Sequence, residues 1–130
     1  MDLTNQLKAQ FYNNLAAKPY CSLEKRADRI RAKSSAIKYP YVQPNPPHMC
    51  AWLVFDCDHN DILKFESVGL PVPNMITYDA NSLRHHIFYA IQAVYTTDKA
   101  RKKPLEYLAA IERTYQFYLQ ADTQYVGLIA

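Results

Sequence analysis

Apolar and polar positions alternate between two recognisable rhythms along this chain. Leu3, Leu7, Phe11 and Leu15 recur every fourth residue, the stripe of a helix over 3–17 that Pro19 stops. Ala51-Trp52-Leu53-Val54-Phe55 is an unbroken apolar run rich in aromatic and branched side chains, which predicts a strand buried on both faces. Between them, Tyr39 to Pro47 carries four prolines, too many for an interior strand or helix, and reads as an extended connector.

Beyond the central strand, Asn60 to Ser67 predicts a short helix capped by Asn60 or Asp61 and closed by Gly69. Met75–Tyr78 predicts a short strand, and Asp79-Ala80-Asn81-Ser82 a turn. A strand follows over Arg84–Ile91. Its period of two puts Arg84, His86, Phe88 and Ala90 on one face and His85, Ile87, Tyr89 and Ile91 on the other. Of the two adjacent histidines, one buried and one exposed is the ordinary expectation. Thr97-Asp98 caps a long helix with Pro104 in its first turns and Leu105, Leu108, Ile111, Tyr115 and Leu119 at helical spacing. Its early lysines, from Lys99 to Lys103, oppose the helix dipole and hint at an anionic neighbour. A turn and a terminal strand over 120–129 close the chain.

These elements predict one α/β (α+β) domain with a mixed sheet flanked by helices. The N-terminal helix takes 1–18, a basic ribbon and Pro-rich connector 19–47, and the sheet core 48–130. A length of 130 residues allows one core, and 49% hydrophobic with 21% charged residues is the balance of a folded protein.

The candidate chemistry begins where the apolar strand ends. Asp56 and Asp58 project from one face of the strand a few ångströms apart, a pairing of like charges that is tolerable in water and useful when a divalent cation is shared. The common alternative for such an Asp-x-Asp is a solvated turn opener. His86 and Arg84 share a strand face and are expected across the sheet from these acids, touching phosphate oxygens.

Charge adds a second feature. The formal net charge is only +3, but Lys25, Arg26, Arg29, Arg31, Lys33 and Lys38 are opposed only by Glu24 and Asp28. Such a run is either a solvated face or a ribbon that contacts nucleic-acid phosphates.

Other classes are excluded by what the chain lacks. Its two glycines, Gly69 and Gly127, rule out a glycine-rich phosphate loop and a dinucleotide fingerprint. Cys21, Cys50 and Cys57 have no Cys-x-x-Cys spacing, so neither a zinc ribbon nor a disulfide framework is suggested, and a reducing compartment fits. No apolar run approaches the ~20 residues that span a bilayer, so no membrane partner and a cytoplasmic location are expected.

An apolar strand ending in Asp-x-Asp, then a strand with a histidine, then a later acid resembles the three-motif catalytic core of the archaeo-eukaryotic primase superfamily. Within it the chain is most similar to the replicases of theta-type bacterial plasmids, including colicin plasmids, whose initiators make the primer at their own origin. The phrases that carry the resemblance are Arg29-Ile30-Arg31-Ala32-Lys33, Tyr41-Val42-Gln43-Pro44-Asn45, Trp52-Leu53-Val54-Phe55-Asp56-Cys57-Asp58, Leu70-Pro71-Val72-Pro73-Asn74 and His86-Ile87-Phe88-Tyr89-Ala90-Ile91. They run in order through most of the chain from Pro19 onward.

The resemblance implies a primase-polymerase-like domain in a bacterial cytoplasm. Asp56 and Asp58 would be first-motif ligands of Mg²⁺ or Mn²⁺, His86 the histidine on the incoming nucleoside triphosphate with Arg84 beside it, and Asp122 the third acid. The implied partners are the plasmid origin, a single-stranded DNA template, nucleoside triphosphates and a host DNA polymerase. The superfamily usually has a small residue two before the histidine, where this chain has Arg84. Its members carry DNA-binding domains after the core, so this chain is expected to be a catalytic fragment.

Two other readings compete. The Asp56-Cys57-Asp58 strand also looks like the nucleophile strand of haloacid-dehalogenase-type phosphohydrolases, which requires a parallel doubly wound sheet. The other is a non-catalytic DNA-binding or assembly module of a replication protein, in which the acids are structural.

Overall fold

The computed structural model describes residues 2–26, 29–97, 100–125 and 127–130. In chain order the elements are α1 (Leu3–Asn13), β1 (Tyr20–Ser22), β2 (Arg29–Ile30), α2 (Lys33–Ala36), β3 (Tyr41–Val42), β4 (Met49–Cys57), α3 (Lys64–Ser67), β5 (Met75–Tyr78), β6 (His85–Tyr95) and α4 (Lys102–Leu119). The predicted α/β single-domain class holds. Its strands form two three-stranded sheets, β2-β1-β3 and β4-β6-β5, and every described pairing is antiparallel rather than mixed. A phosphohydrolase of the doubly wound type needs parallel strands, and that reading is set aside.

The β4–β6 pair is the centre of the molecule. Its register sets Trp52 opposite Ala90, Val54 opposite Phe88, Asp56 opposite His86 and Cys57 opposite His85. Alternation then sorts the core into two halves. Trp52, Val54 and Phe88 pack against Phe11 and Leu15 from the N-terminal region and Cys21, Ala36 and Val42 around the small sheet. Leu53, Phe55, Ile87 and Tyr89 pack under Phe65, Leu119 and Ala121, with Leu108, Ile111 and Tyr115 of α4 closing over them. Each buried aromatic or branched side chain contributes about 1.5–3 kcal/mol relative to exposure.

The pair is interrupted once, by a register shift between Cys50 and Trp52. Asn45 fills it: its Oδ1 accepts the amides of Ala51 and Trp52 at 2.8 and 2.9 Å, and its Nδ2 donates to the Trp52 carbonyl at 2.8 Å. The proline-rich connector thus delivers a side chain that satisfies backbone groups the bulge leaves open.

Several boundaries differ from expectation. The N-terminal helix stops at Asn13, yet Leu15 beyond it is still buried, so the stripe outlasts the helix. Only Lys64–Ser67 is helical within 60–67. The second long strand runs to Tyr95, because its far end pairs with Met49 and Cys50 past the bulge. The long helix starts at Lys102; the Asp98 cap and Lys99 lie outside the described residues. At the chain end, where a strand is expected, Val126 lies outside the described residues, and Tyr125 Oη donates to the Ile129 carbonyl at 2.6 Å. Ala130 exchanges two backbone bonds of 3.0 Å with Val42. Among the described residues, no helix is long and apolar enough to cross a membrane.

Candidate active site

Asp56 is the penultimate residue of β4 and lies buried, at 7% exposure. Asp58 lies just past the strand and is exposed. The third carboxylate arrives by a local device. The residue after α4, Gln120, takes a left-handed conformation (φ 53°), which turns the chain back along the sheet. The Asp122 amide then donates to the Asp56 carbonyl at 2.8 Å, Gln116 Nε2 donates to the Asp122 carbonyl at 3.1 Å, and the Asp122 carboxylate accepts the Gln124 amide at 2.9 Å. The result is a carboxylate oxygen from each of Asp56, Asp58 and Asp122 within 4.8 Å of one another, a set able to hold a divalent cation.

A cation of the chain's own already faces them. Lys25 Nζ donates to Asp56 Oδ1 at 3.1 Å and stands 3.7 Å from Asp58 Oδ1. Burial works against its charge, but the hydrogen bond to Asp56 and the charges of Asp56 and Asp58 outweigh it and raise its pKa above the ordinary 10.5. His86 closes the other side, with Nε2 at 3.4 Å from the same Asp56 oxygen. Burial is the largest influence on the imidazole and holds its pKa below the ordinary 6.5, although Asp56 pulls the other way. Two rings confine it: Tyr125 at 5.6 Å and the edge of Tyr41 at 6.3 Å between centroids. Burial, reinforced by the negative charge of Asp56, pushes the Tyr125 phenol far up, so it stays protonated.

A cleft of about 420 Å³ opens beside this cluster, with Lys25, Tyr41, Thr77, Ser82, Arg84 and His86 among its walls. Arg84 is exposed just before β6 and shares the cleft with His86. A larger hollow of about 800 Å³ lies between β6 and α4; its walls are mostly apolar and aromatic and include none of the three acids.

The basic segment is divided by the fold. Lys25, expected with the ribbon, turns into the acidic cluster. The Arg29 guanidinium lies over Tyr39 at 5.5 Å and the Lys33 ammonium over Tyr12 at 4.7 Å from the ring centroids. Arg26, Arg31 and Lys38 are exposed, while Asp28 lies outside the described residues.

Behind the acids, on the α4 side of the same strands, is a second group that no spacing in the sequence announces as a whole. Cys57, His59 and His85 each bring a ligand atom within 4.8 Å of the others. Both adjacent histidines of β6 are buried, at 2% for His85 and 5% for His86, and they serve opposite faces. The expectation of one exposed ring fails because both sides of this sheet end are covered. The signal was present in Cys57-Asp58-His59, but only the Cys57–His85 register brings the third residue in.

The antiparallel α/β core thus brings a carboxylate cluster that could hold a metal ion to one strand end, flanked by Lys25 and His86 and beside a cleft that Arg84 also lines. The family model for the Replicase family matches residues 14–130, and the chain belongs to that family. Membership assigns it a replication role with DNA and nucleotides as the general class of partner. No curated protein and no solved structure matches the chain.

Proposed function

We propose that this domain is the catalytic core of a plasmid replication initiator of the archaeo-eukaryotic primase superfamily, synthesising a primer on single-stranded DNA at the origin. The reaction joins a primer 3′-oxygen to the α-phosphorus of a nucleoside triphosphate and releases pyrophosphate. The observation that carries this reading is the convergence of Asp56, Asp58 and Asp122 within 4.8 Å beside a cleft that holds Lys25, Arg84 and His86, in a chain of the Replicase family.

Three hard oxygen donors fit Mg²⁺ or Mn²⁺, and the ammonium at 3.1 Å from Asp56 marks where positive charge is favoured. Held by these carboxylates, the metal would supply Lewis-acid stabilisation of the attacking and leaving oxygens. The chain's own groups do the rest. Arg84 and Lys25 bind phosphate oxygens through charge-assisted hydrogen bonds. His86, neutral at neutral pH, offers a hydrogen bond to the triphosphate from a ring that Tyr41 and Tyr125 hold in place. Arg26, Arg31 and Lys38 meet the template backbone, a contact that weakens with salt.

The test is incorporation of labelled nucleotide on a single-stranded template with Mn²⁺, comparing the native chain with Asp58→Asn. Oligonucleotide products from the native chain, reduced at least about 100-fold by the substitution, are expected for loss of a metal ligand. Binding of template without incorporation by the native chain would favour the DNA-binding or assembly module instead, and equal incorporation by both chains would remove Asp58 from the catalytic set.

A further inference from the structure

The two sides of the β4–β6 end carry different donor chemistries, and the rear side contains an unfilled valence. His85 is 2% exposed. Its Nδ1–H donates to the Leu83 carbonyl at 2.9 Å, which fixes the tautomer and leaves Nε2 as a bare lone pair. That Nε2 is buried and has no hydrogen-bond partner. A buried nitrogen acceptor without a partner costs about 1–3 kcal/mol, so its survival in the core needs a reason.

The neighbours supply one. Cys57 is directly opposite His85 in the register, so both side chains leave the sheet on the same face. Cys57 is fully buried. The His59 ring meets the His85 ring edge-on at 5.3 Å between centroids. His59 Nε2–H donates to the Leu119 carbonyl at 2.8 Å, and its Nδ1 accepts the exposed Asp61 amide at 3.1 Å. Both imidazoles therefore carry their proton on the nitrogen that faces a backbone carbonyl, the arrangement that orients histidine ligands and raises their basicity. The Asp61 amide on its exposed loop is readily handed to water.

We propose that Cys57 Sγ, His85 Nε2 and His59 Nδ1 form a Zn²⁺ site on the α4 side of the sheet, separate from the carboxylate cluster and independent of the polymerase reading. One thiolate and two imidazoles are the donor set of a borderline-soft ion rather than of Mg²⁺. Zinc bonds of about 2.0–2.3 Å in tetrahedral geometry put ligand atoms about 3.3–3.8 Å apart. One donor atom from each of the three residues already lies within 4.8 Å of the others, and a small contraction and ring adjustment, taken up by the His59 loop, brings the three to that spacing. Water fills the fourth position. Binding releases the Cys57 thiol proton to solvent. Through His59 the ion ties the end of β4 to the last turn of α4 at Leu119, three residues before Asp122, and so staples the strand ends from which the acids project.

The test uses the metal-stripped chain, kept reduced without a thiol, titrated with Co²⁺ as a spectroscopic substitute and then with Zn²⁺. One equivalent of Co²⁺ should produce a thiolate charge-transfer band and tetrahedral ligand-field bands. Zn²⁺ should displace them and raise the Tm. The bands should vanish in Cys57→Ala and weaken at least about tenfold in affinity in His59→Ala, and both should persist in Asp58→Asn. Because Cys57 is buried, His59→Ala, at a half-buried loop position, is the variant that separates ligand loss from misfolding, with circular dichroism confirming its fold. A native chain without a charge-transfer band overturns the site. So does a band that survives Cys57→Ala, or one whose affinity His59→Ala leaves unchanged.

Discussion

Asp56 and Cys57 are neighbours in sequence and stand back to back, opposite His86 and His85, yet the two faces of this strand end carry different chemistry. On the front, a carboxylate shares one oxygen with Lys25 at 3.1 Å and His86 at 3.4 Å, and a cleft lies alongside. On the back, a thiol that burial pushes up to about 12 faces two imidazoles under α4. The front is hard, charged and internally compensated. The back is soft, nearly neutral and holds the unpartnered His85 nitrogen. One strand pair separates them because alternation makes adjacent residues chemically independent. Substitutions one residue apart should therefore have unrelated consequences.

The largest contrast is expected from that neighbour pair. Asp56→Asn should lower templated nucleotide incorporation by about 10³-fold, near 4 kcal/mol of transition-state stabilisation, while Cys57→Ala, measured in the same assay, should stay within about tenfold of native. Equal losses from both would mean that the two faces form one unit.

Next in size is the support common to both. Asn45→Ala removes the acceptor of the Ala51 and Trp52 amides and should cost about 1–3 kcal/mol in denaturant unfolding. It should shift the stability of both faces together. Lys25→Met, in contrast, concerns the front alone. Without the ammonium beside Asp56 and Asp58, Mn²⁺ should bind the nucleotide-free chain more tightly, whereas the nucleoside triphosphate should bind about tenfold more weakly for want of a phosphate contact. Calorimetry of each titration separates the two signs.

The smallest effect is a pH dependence. Burial holds His86 below its ordinary 6.5 in the folded chain. On acidification the unfolded chain therefore takes up a proton that the folded chain refuses. Stability present above about pH 6.5 should fall as pH drops through that value toward the folded pKa. Thermal unfolding of metal-free native chain and His86→Gln between pH 8 and 5 should show a flatter profile for the variant.

The front face was largely visible in the sequence, because the apolar run Ala51–Phe55 fixes the strand and period two then pairs Asp56 with Asp58 and aims Arg84 with His86. Asp122 entered by resemblance; its actual placement depends on the left-handed Gln120 and the Asp56 carbonyl, neither of which has a periodic signature. Lys25 belongs to the basic ribbon by sequence, since a charge run does not reveal which member turns inward. The back face was missed for a similar reason. Cys57 and His59 are close in sequence, but His85 joins them only through a cross-strand register set by the whole sheet. The two sheets escaped notice because strands as short as Arg29–Ile30 and Tyr41–Val42 carry too few residues to establish a period.

The proposed activity requires the front carboxylates and the basic cleft to bind a metal-nucleotide together. Calorimetric titration of a nucleoside triphosphate in Mn²⁺ at low salt, into the native chain and Asp56→Asn, tests it most directly. Metal-dependent binding to the native chain that Asp56→Asn abolishes is the predicted result. Binding absent from both chains, or unchanged by the substitution, would contradict it and leave these acids as structural elements of a DNA-binding module.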